Sequence, residues 1–191
     1  VKLDRTWRPG DVVSLTLNPR VRTEPRANGA VFVRWGALYF SLRIGQAFKP
    51  IKINEARRTK TAAPNGVVNW HIDPTTDWNY GLAIDPARPE AEVQVRKIGR
   101  LPFARRDEPV WLPGATAFTP WTEDVPVVLK MKARQIPSWG LDGASAADIM
   151  VSPVKVDTPE TVVELIPYGC TRLRLSEFPL VYRSSAAGRG D

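Results

Sequence analysis

The 18 prolines and 13 glycines of this 191-residue chain are scattered along its whole length. Few windows of ten residues are therefore free of a breaker. Each proline removes a backbone donor and fixes φ, so long helices are disfavoured and short strands joined by turns are favoured. A chain of this length can bury one good core or two small ones, and 43% apolar residues with seven tryptophans supply the means. The expected fold class is all-β, an antiparallel, jelly-roll-like β-sandwich with minimal helix.

Period-two alternation locates the strands. Val13, Leu15 and Leu17 alternate with Ser14, Thr16 and Asn18 after the turn Arg8-Pro9-Gly10-Asp11, which predicts a half-buried strand. The run from Val31 to Leu42 is apolar in places on both faces, and Gly36 interrupts it, which predicts two successive strands in a central position. Residues 54–66 are polar and end in Pro64-Asn65-Gly66, a surface loop. Val67 to Asp73 and Trp78 to Asp85 read as strands joined by Pro74-Thr75-Thr76-Asp77, and Glu92 to Ile98 as a strand with one wet face.

Between Leu101 and Pro126 five prolines leave no room for a regular element beyond about five residues. Val127, Leu129, Met131 and Ala133 then alternate with Val128, Lys130, Lys132 and Arg134, the cleanest amphipathic strand of the chain. Ser145 to Met150 is the one helical candidate, with Ser145 as its cap and Ser152-Pro153 as its stop. Val154 to Val156 and Val162 to Ile166 resume strands. Val163 and Leu165 lead into Tyr168-Gly169, and Leu173 and Leu175 lead out, which predicts a closing hairpin. The tail after Tyr182 lacks apolar periodicity and is expected to be disordered.

The wording of Glu164 to Pro179, with Ile166-Pro167-Tyr168-Gly169-Cys170-Thr171-Arg172-Leu173-Arg174 at its centre, resembles the C-terminal region of the β-L-arabinofuranosidase family of glycoside hydrolases (family 127-like). Trp78-Asn79-Tyr80-Gly81-Leu82 fits the same likeness. Arg5-Thr6-Trp7-Arg8-Pro9-Gly10-Asp11-Val12-Val13 and Ala30 to Tyr39 are similar to strands of that family's middle β-domain. Gly36-Ala37-Leu38 stands where the family usually has Gly-Pro-Leu, and residues 46–66 match no family pattern. The resemblance implies an upstream helical (α/α) barrel that carries a cysteine nucleophile beside a zinc site, and nothing of that kind occurs in these residues. It also implies a division into residues 1–45, part of a middle β-domain, residues 46–182, a C-terminal β-sandwich, and a tail at 183–191.

Composition narrows the chemistry. One cysteine excludes an internal disulfide, and one cysteine with one histidine cannot supply the three or four ligands of a zinc site. No apolar run reaches the length of a membrane span, and the N-terminal residues lack a signal-peptide pattern. The net charge is +7, with 19 arginines and 8 lysines. These cations are dispersed, and the only adjacent arginine pairs are Arg57-Arg58 and Arg105-Arg106, so no nucleic-acid partner is expected.

Residues with usable chemistry each have a plain structural reading. His71 lies between Trp70 and Ile72 and reads as a packed or surface histidine, and Cys170 as a small residue filling a turn. Asp73 and Asp85 precede prolines, a turn context, and Asp77, Glu123, Asp124 and Asp142 lie in loops. A glycosidase pair would need two carboxyls about 5 to 9.5 Å apart, and no catalytic residue is assigned. Trp111, Trp121 and Trp139 lie in Pro/Gly loops, where rings project, and are the candidate sugar-binding residues. The expected function is that of a non-catalytic accessory region, without cofactor or metal. Its expected partners are a helical catalytic domain, a second copy, or a plant-type oligosaccharide. The alternative is a free-standing carbohydrate-binding module using the loop tryptophans.

Overall fold

The structure is a computed structural model that describes residues 2, 4–50, 70–97 and 125–183. Its strands are β1 (Val21–Pro25), β2 (Val31–Trp35), β3 (Leu38–Leu42), β4 (Gln46–Pro50), β5 (Trp70–Pro74), β6 (Tyr80–Leu82), β7 (Gln94–Lys97), β8 (Val127–Gln135), β9 (Leu141–Asp142), β10 (Ser145–Ala146) and β11 (Glu160–Pro167). Every pairing between these strands is antiparallel. The helical elements among the described residues are three-residue 3-10 turns, and none is long and apolar enough to cross a membrane. The chain is all-β with minimal helix, as its prolines and glycines require.

The main sheet runs β1-β2-β3-β11-β8-β6, with β7 also paired to β8. Its centre is β11, where Leu165 lies opposite both Leu42 of β3 and Leu129 of β8. Val127, Leu129, Met131 and Ala133 send their side chains into the core, as their alternation predicts. Gly36, at φ +59, makes the turn between β2 and β3, a conformation that side chains with a Cβ rarely adopt. A Cβ there would also lie 2.9 Å from Cβ of Pro19.

Residues 178–182 close the sheet upon itself. Phe178 and Val31 exchange both backbone hydrogen bonds at 2.9 Å, joining this segment to β2. Leu82 donates to the Pro179 carbonyl at 2.9 Å, and Val181 donates back to that of Leu82 at 3.0 Å, joining it to β6. The pairing circuit thus returns from β6 to β2 and encloses Val33, Phe40, Leu42, Leu82, Leu129, Met131, Leu165 and Phe178. Burial of each large apolar side chain stabilises by about 1.5–3 kcal/mol. The curled sheet faces itself across this core, an arrangement compatible with the expected sandwich. Two smaller clusters line its outside, one around Ile136, Trp139, Val154 and Val181, the other around Val125, Val128, Ile166 and Cys170.

Several local expectations are corrected. Residues 13–17 form no strand, and their apolar side chains face solvent. Ser145 to Met150 is not a helix. Gly143 takes φ +61 in a two-residue turn, and Ser145 pairs with Asp142 in a small hairpin. The expected closing hairpin has its first limb, β11, but residues 171–175 carry no ladder. Leu173 and Leu175 pack on the core from an irregular path on which Thr171 and Arg174 bond locally. All of β7 is exposed rather than half-buried. Val21, Val31, Val33, Phe40, Leu42 and Ile44 share one cluster with Leu82, Leu129 and Leu165. Of the expected tail, Arg183 bonds Glu92 at 2.8 Å. The 54–66 loop, the 101–124 proline-rich stretch and residues 184–191 lie outside the described residues.

Candidate functional site

Trp139 is buried, with 3% of its surface exposed. Its Nε1 donates to the Ala147 carbonyl at 3.0 Å, so neither its face nor its polar edge is offered to a sugar. Trp111 and Trp121 lie outside the described residues. The loop reading of Trp139 missed that the Ile136 turn folds its ring back onto Trp78.

Of the residues weighed for catalysis, His71 and Asp73 lie side by side on β5, and Glu123 and Asp124 lie outside the described residues. His71 is exposed on β5, and its Nε2 lies 2.9 Å from Oδ1 of Asp73, while Lys49 Nζ lies 2.6 Å from Oδ2. Lys49 first, with His71 a lesser contributor, holds the Asp73 carboxyl below its ordinary range. Asp85 accepts from the backbone N–H of Ala87 at 2.9 Å and from Arg88 at 3.1 Å, so it organises its own turn. Cys170 is buried in the 3-10 turn after β11, and burial pushes its thiol pKa up, away from the nucleophilic thiolate. Among the described residues no cluster of histidine, cysteine and carboxylates could hold a metal ion.

Two exposed surfaces stand out among the described residues. The first is the outward face of β7, β8 and β11, reached by the alternation that sends Leu129, Met131 and Ala133 inward. Lys130, Lys132 and Arg134 point out from β8, Glu160 and Glu164 from β11, and Arg96 from β7. Glu164 sits between cations, with Oε2 2.8 Å from Arg43 Nη1, and Oε1 3.8 Å from both Arg96 and Lys130. Lys132 pairs with Glu160 at 2.9 Å, and Arg134 donates to the Thr158 carbonyl at 2.7 Å. Among the described residues, these five cations meet the carboxylates Glu160 and Glu164 on this face.

The outward face of β1, β2 and β3 sets Arg22 opposite Arg34, with Glu24 beside them. Glu24 accepts from the Tyr39 hydroxyl at 2.7 Å and from Arg34, and these bonds, Tyr39 first, hold its carboxyl below the usual range. Phe32 and Tyr39 meet edge to face at 5.6 Å, and the Arg26 guanidinium, tied to Glu177 at 3.0 Å, lies 4.5 Å above Phe32. Ring faces here are already covered by cations.

The second exposed surface is the arm before β1. Val12, Leu15 and Leu17 are 84%, 81% and 75% exposed, an apolar segment without a sheet partner among the described residues. No family model matches the chain, and neither a curated protein nor a solved structure matches it.

Proposed function

We propose that the chain is a non-catalytic, all-β accessory region of a β-L-arabinofuranosidase-like glycoside hydrolase, which braces the helical catalytic barrel or joins two copies of the protein. The observation that carries this reading is the exposed arm. Val13, Leu15 and Leu17 have the period of a half-buried strand, yet all three face water. Leaving a Leu or Val side chain exposed forgoes about 1.5–3 kcal/mol that burial would supply. A sheet or groove on another domain would recover that stabilisation and pair the arm's backbone. The resemblance of Glu164 to Pro179 supplies the identity of the partner class.

The test mixes the purified chain with a purified helical barrel of a β-L-arabinofuranosidase from which the β-domains have been removed, followed by size-exclusion chromatography with light scattering. The expected result is a complex with the barrel or a stable dimer of the chain, lost when Leu15→Asp and Leu17→Asp are combined. The reading fails if the chain remains monomeric beside the barrel. It fails equally if the double variant associates as the parent does, or if the chain alone cleaves a β-L-arabinofuranoside.

A further inference from the structure

We propose that Asn28-Gly29 is a site of spontaneous covalent modification, deamidation by water, and that its product unfastens the turn between β1 and β2 from the segment strapped to residues 180–182. The inference does not depend on the accessory-region reading, because it uses no part of the arm. The sequence holds the Asn-Gly pairs Asn28-Gly29 and Asn65-Gly66, and the first lies among the described residues. Glycine after asparagine leaves the following backbone nitrogen unhindered by a side chain and free to rotate toward the asparagine Cγ.

Asn28 and Gly29 are both exposed, so water and solvent base reach the reacting groups. The Gly29 nitrogen gives its proton to solvent base and attacks Cγ of Asn28. The new N–Cγ bond closes a cyclic imide, and the Cγ–Nδ2 bond breaks, releasing Nδ2 with an added proton as ammonia. Water then opens the ring at either carbonyl. One opening leaves aspartate, and the other leaves isoaspartate, in which the backbone runs through Cβ and Cγ. Water is the co-reactant, and nothing is oxidised or reduced.

The fold both marks this residue and restrains it. Asn28, at φ 56 and ψ 25, is the one residue other than glycine at positive φ among the described residues, in a region that asparagine tolerates better than most. Its Nδ2 donates to the Ile149 carbonyl at 2.8 Å, and its own carbonyl accepts from the Ser152 N–H at 2.8 Å. Ser152 Oγ in turn accepts from the Leu180 N–H at 2.9 Å, and Val154 donates to the Leu180 carbonyl at 2.7 Å. Asn28 thus fastens the turn to the strap over the segment that closes the sheet. Ring closure draws the amide away from Ile149, so it proceeds from a locally opened turn. The product carboxylate cannot donate, and it sets an anionic oxygen against the Ile149 carbonyl. Isoaspartate also inserts a backbone carbon beside the carbonyl that Ser152 bonds. A Cβ on Gly29 would stand only 3.3 Å from Ser152 Cβ, so the turn has little slack in which to absorb it.

The test ages the full chain at pH 8, with and without urea, and maps its peptides by mass spectrometry. Asn28 should convert to aspartate and isoaspartate in the native chain, at least about tenfold more slowly than in urea, because the turn must open first. Asn18 and Asn79, which precede Pro19 and Tyr80, should stay unmodified in the native chain. Hydrogen exchange then reads the strap in chains carrying Asn65→Gln, which removes the second Asn-Gly pair. After ageing, exchange should quicken at the Ser152, Val154 and Leu180 amides, while Met131 and Leu165 keep their protection. Asn28→Asp should reproduce part of this acceleration without ageing. Asn28→Gly, which keeps the positive φ and has no amide to lose, should show no change with age. An Asn28 that stays intact in the native chain would overturn the proposal, as would native conversion as fast as that in urea. Equal exchange at Ser152, Val154 and Leu180 before and after conversion would overturn it too, as would the same ageing effect in the Asn28→Gly chain.

Discussion

The rings of Trp78 and Trp139 meet edge to face, with centroids 5.5 Å apart and planes at 65°. Around this pair Asn79 Nδ2 donates to the carbonyls of Ile136 at 2.9 Å and Trp139 at 3.3 Å, which fixes the turn after β8 against the segment before β6. The pair covers the outside of the closed sheet where Val154 and Val181 meet. Trp139→Ala should therefore destabilise the fold by about 3–5 kcal/mol, the usual cost of truncating a buried aromatic. Trp139→Phe should lose less, retaining the edge contact while losing the bond to Ala147. Urea unfolding followed by far-ultraviolet dichroism measures both, and a loss below about 1 kcal/mol for the alanine variant would show that this ring is not structural.

The seam between β6 and the closing segment makes a sharper demand. A Cβ on Gly81 would lie 2.5 Å from Val181 Cγ1, 3.0 Å from Ile136 Cδ1 and 3.1 Å from the Pro179 carbonyl oxygen. The carbonyl belongs to the backbone that closes the circuit, so it cannot yield without lengthening the bond from Leu82. Gly81→Ala should cost about 1–3 kcal/mol as overpacking, against a helpful loss of chain entropy in the unfolded state. Gly140→Ala is the control, since nothing lies within 4 Å of its added carbon. Thermal unfolding should separate the two variants clearly, and equal melting temperatures would mean that the seam repacks freely.

The contrast between β8 and the arm explains how much of the fold could be read locally. Both alternate apolar and polar residues, and the alternation correctly gave β8 its inward Leu129 and Met131. It gave the same answer for Val13, Leu15 and Leu17, because period two reports which residues suit a pleated surface and not whether a neighbouring strand exists. The β2–β3 pair was legible because Gly36 punctuates it. The small hairpin at Asp142 to Ser145 carried its own signal in Asp142-Gly143, which competed with Ser145 as a helix cap and prevailed. The charged face was not legible. It depends on the register that sets Glu164 opposite Lys130 and brings Arg43 and Arg96 to the same carboxylate, and these are long-range pairings without a local pattern. The closing role of Phe178 to Tyr182 was missed for the same reason, since single bridges to β2, β6 and Val154 leave no periodic trace.

Cys170 offers a chemical probe of the same architecture. Its side chain is 4% exposed beside Val125, Val128 and Ile166, and burial raises its pKa. A thiol must be both reachable and ionised to react quickly with a disulfide reagent. In native protein at pH 8 the thiol should react at least about a hundredfold more slowly than in urea. Val128→Ala, which thins its cover, should raise the native rate without abolishing the fold. Fast reaction of the native parent would place the 3-10 turn after β11 in an open state.

Acid should weaken the fold through a definite set of carboxylates. Asp85 is held low by the Ala87 backbone N–H first and by Arg88 second, Asp73 by Lys49, and Glu24 by Tyr39 and then Arg34. Each group therefore has a lower pKa folded than unfolded, where the ordinary values are 3.8 for aspartate and 4.5 for glutamate. Between the folded and unfolded values the unfolded chain binds more protons, so stability rises with pH in that window. The contribution is complete above about pH 5 and is lost as pH falls through the folded values. All three groups are at the surface, so salt should reduce the effect of the ion pairs, while the Ala87 bond to Asp85 should persist. Carboxyl titration by NMR should give Asp85, Asp73 and Glu24 midpoints below those ordinary values, with Asp85 the least altered by added salt. Asp85→Asn should flatten the acid limb of the stability curve even in high salt, and an unchanged limb would remove Asp85 from the groups that set it.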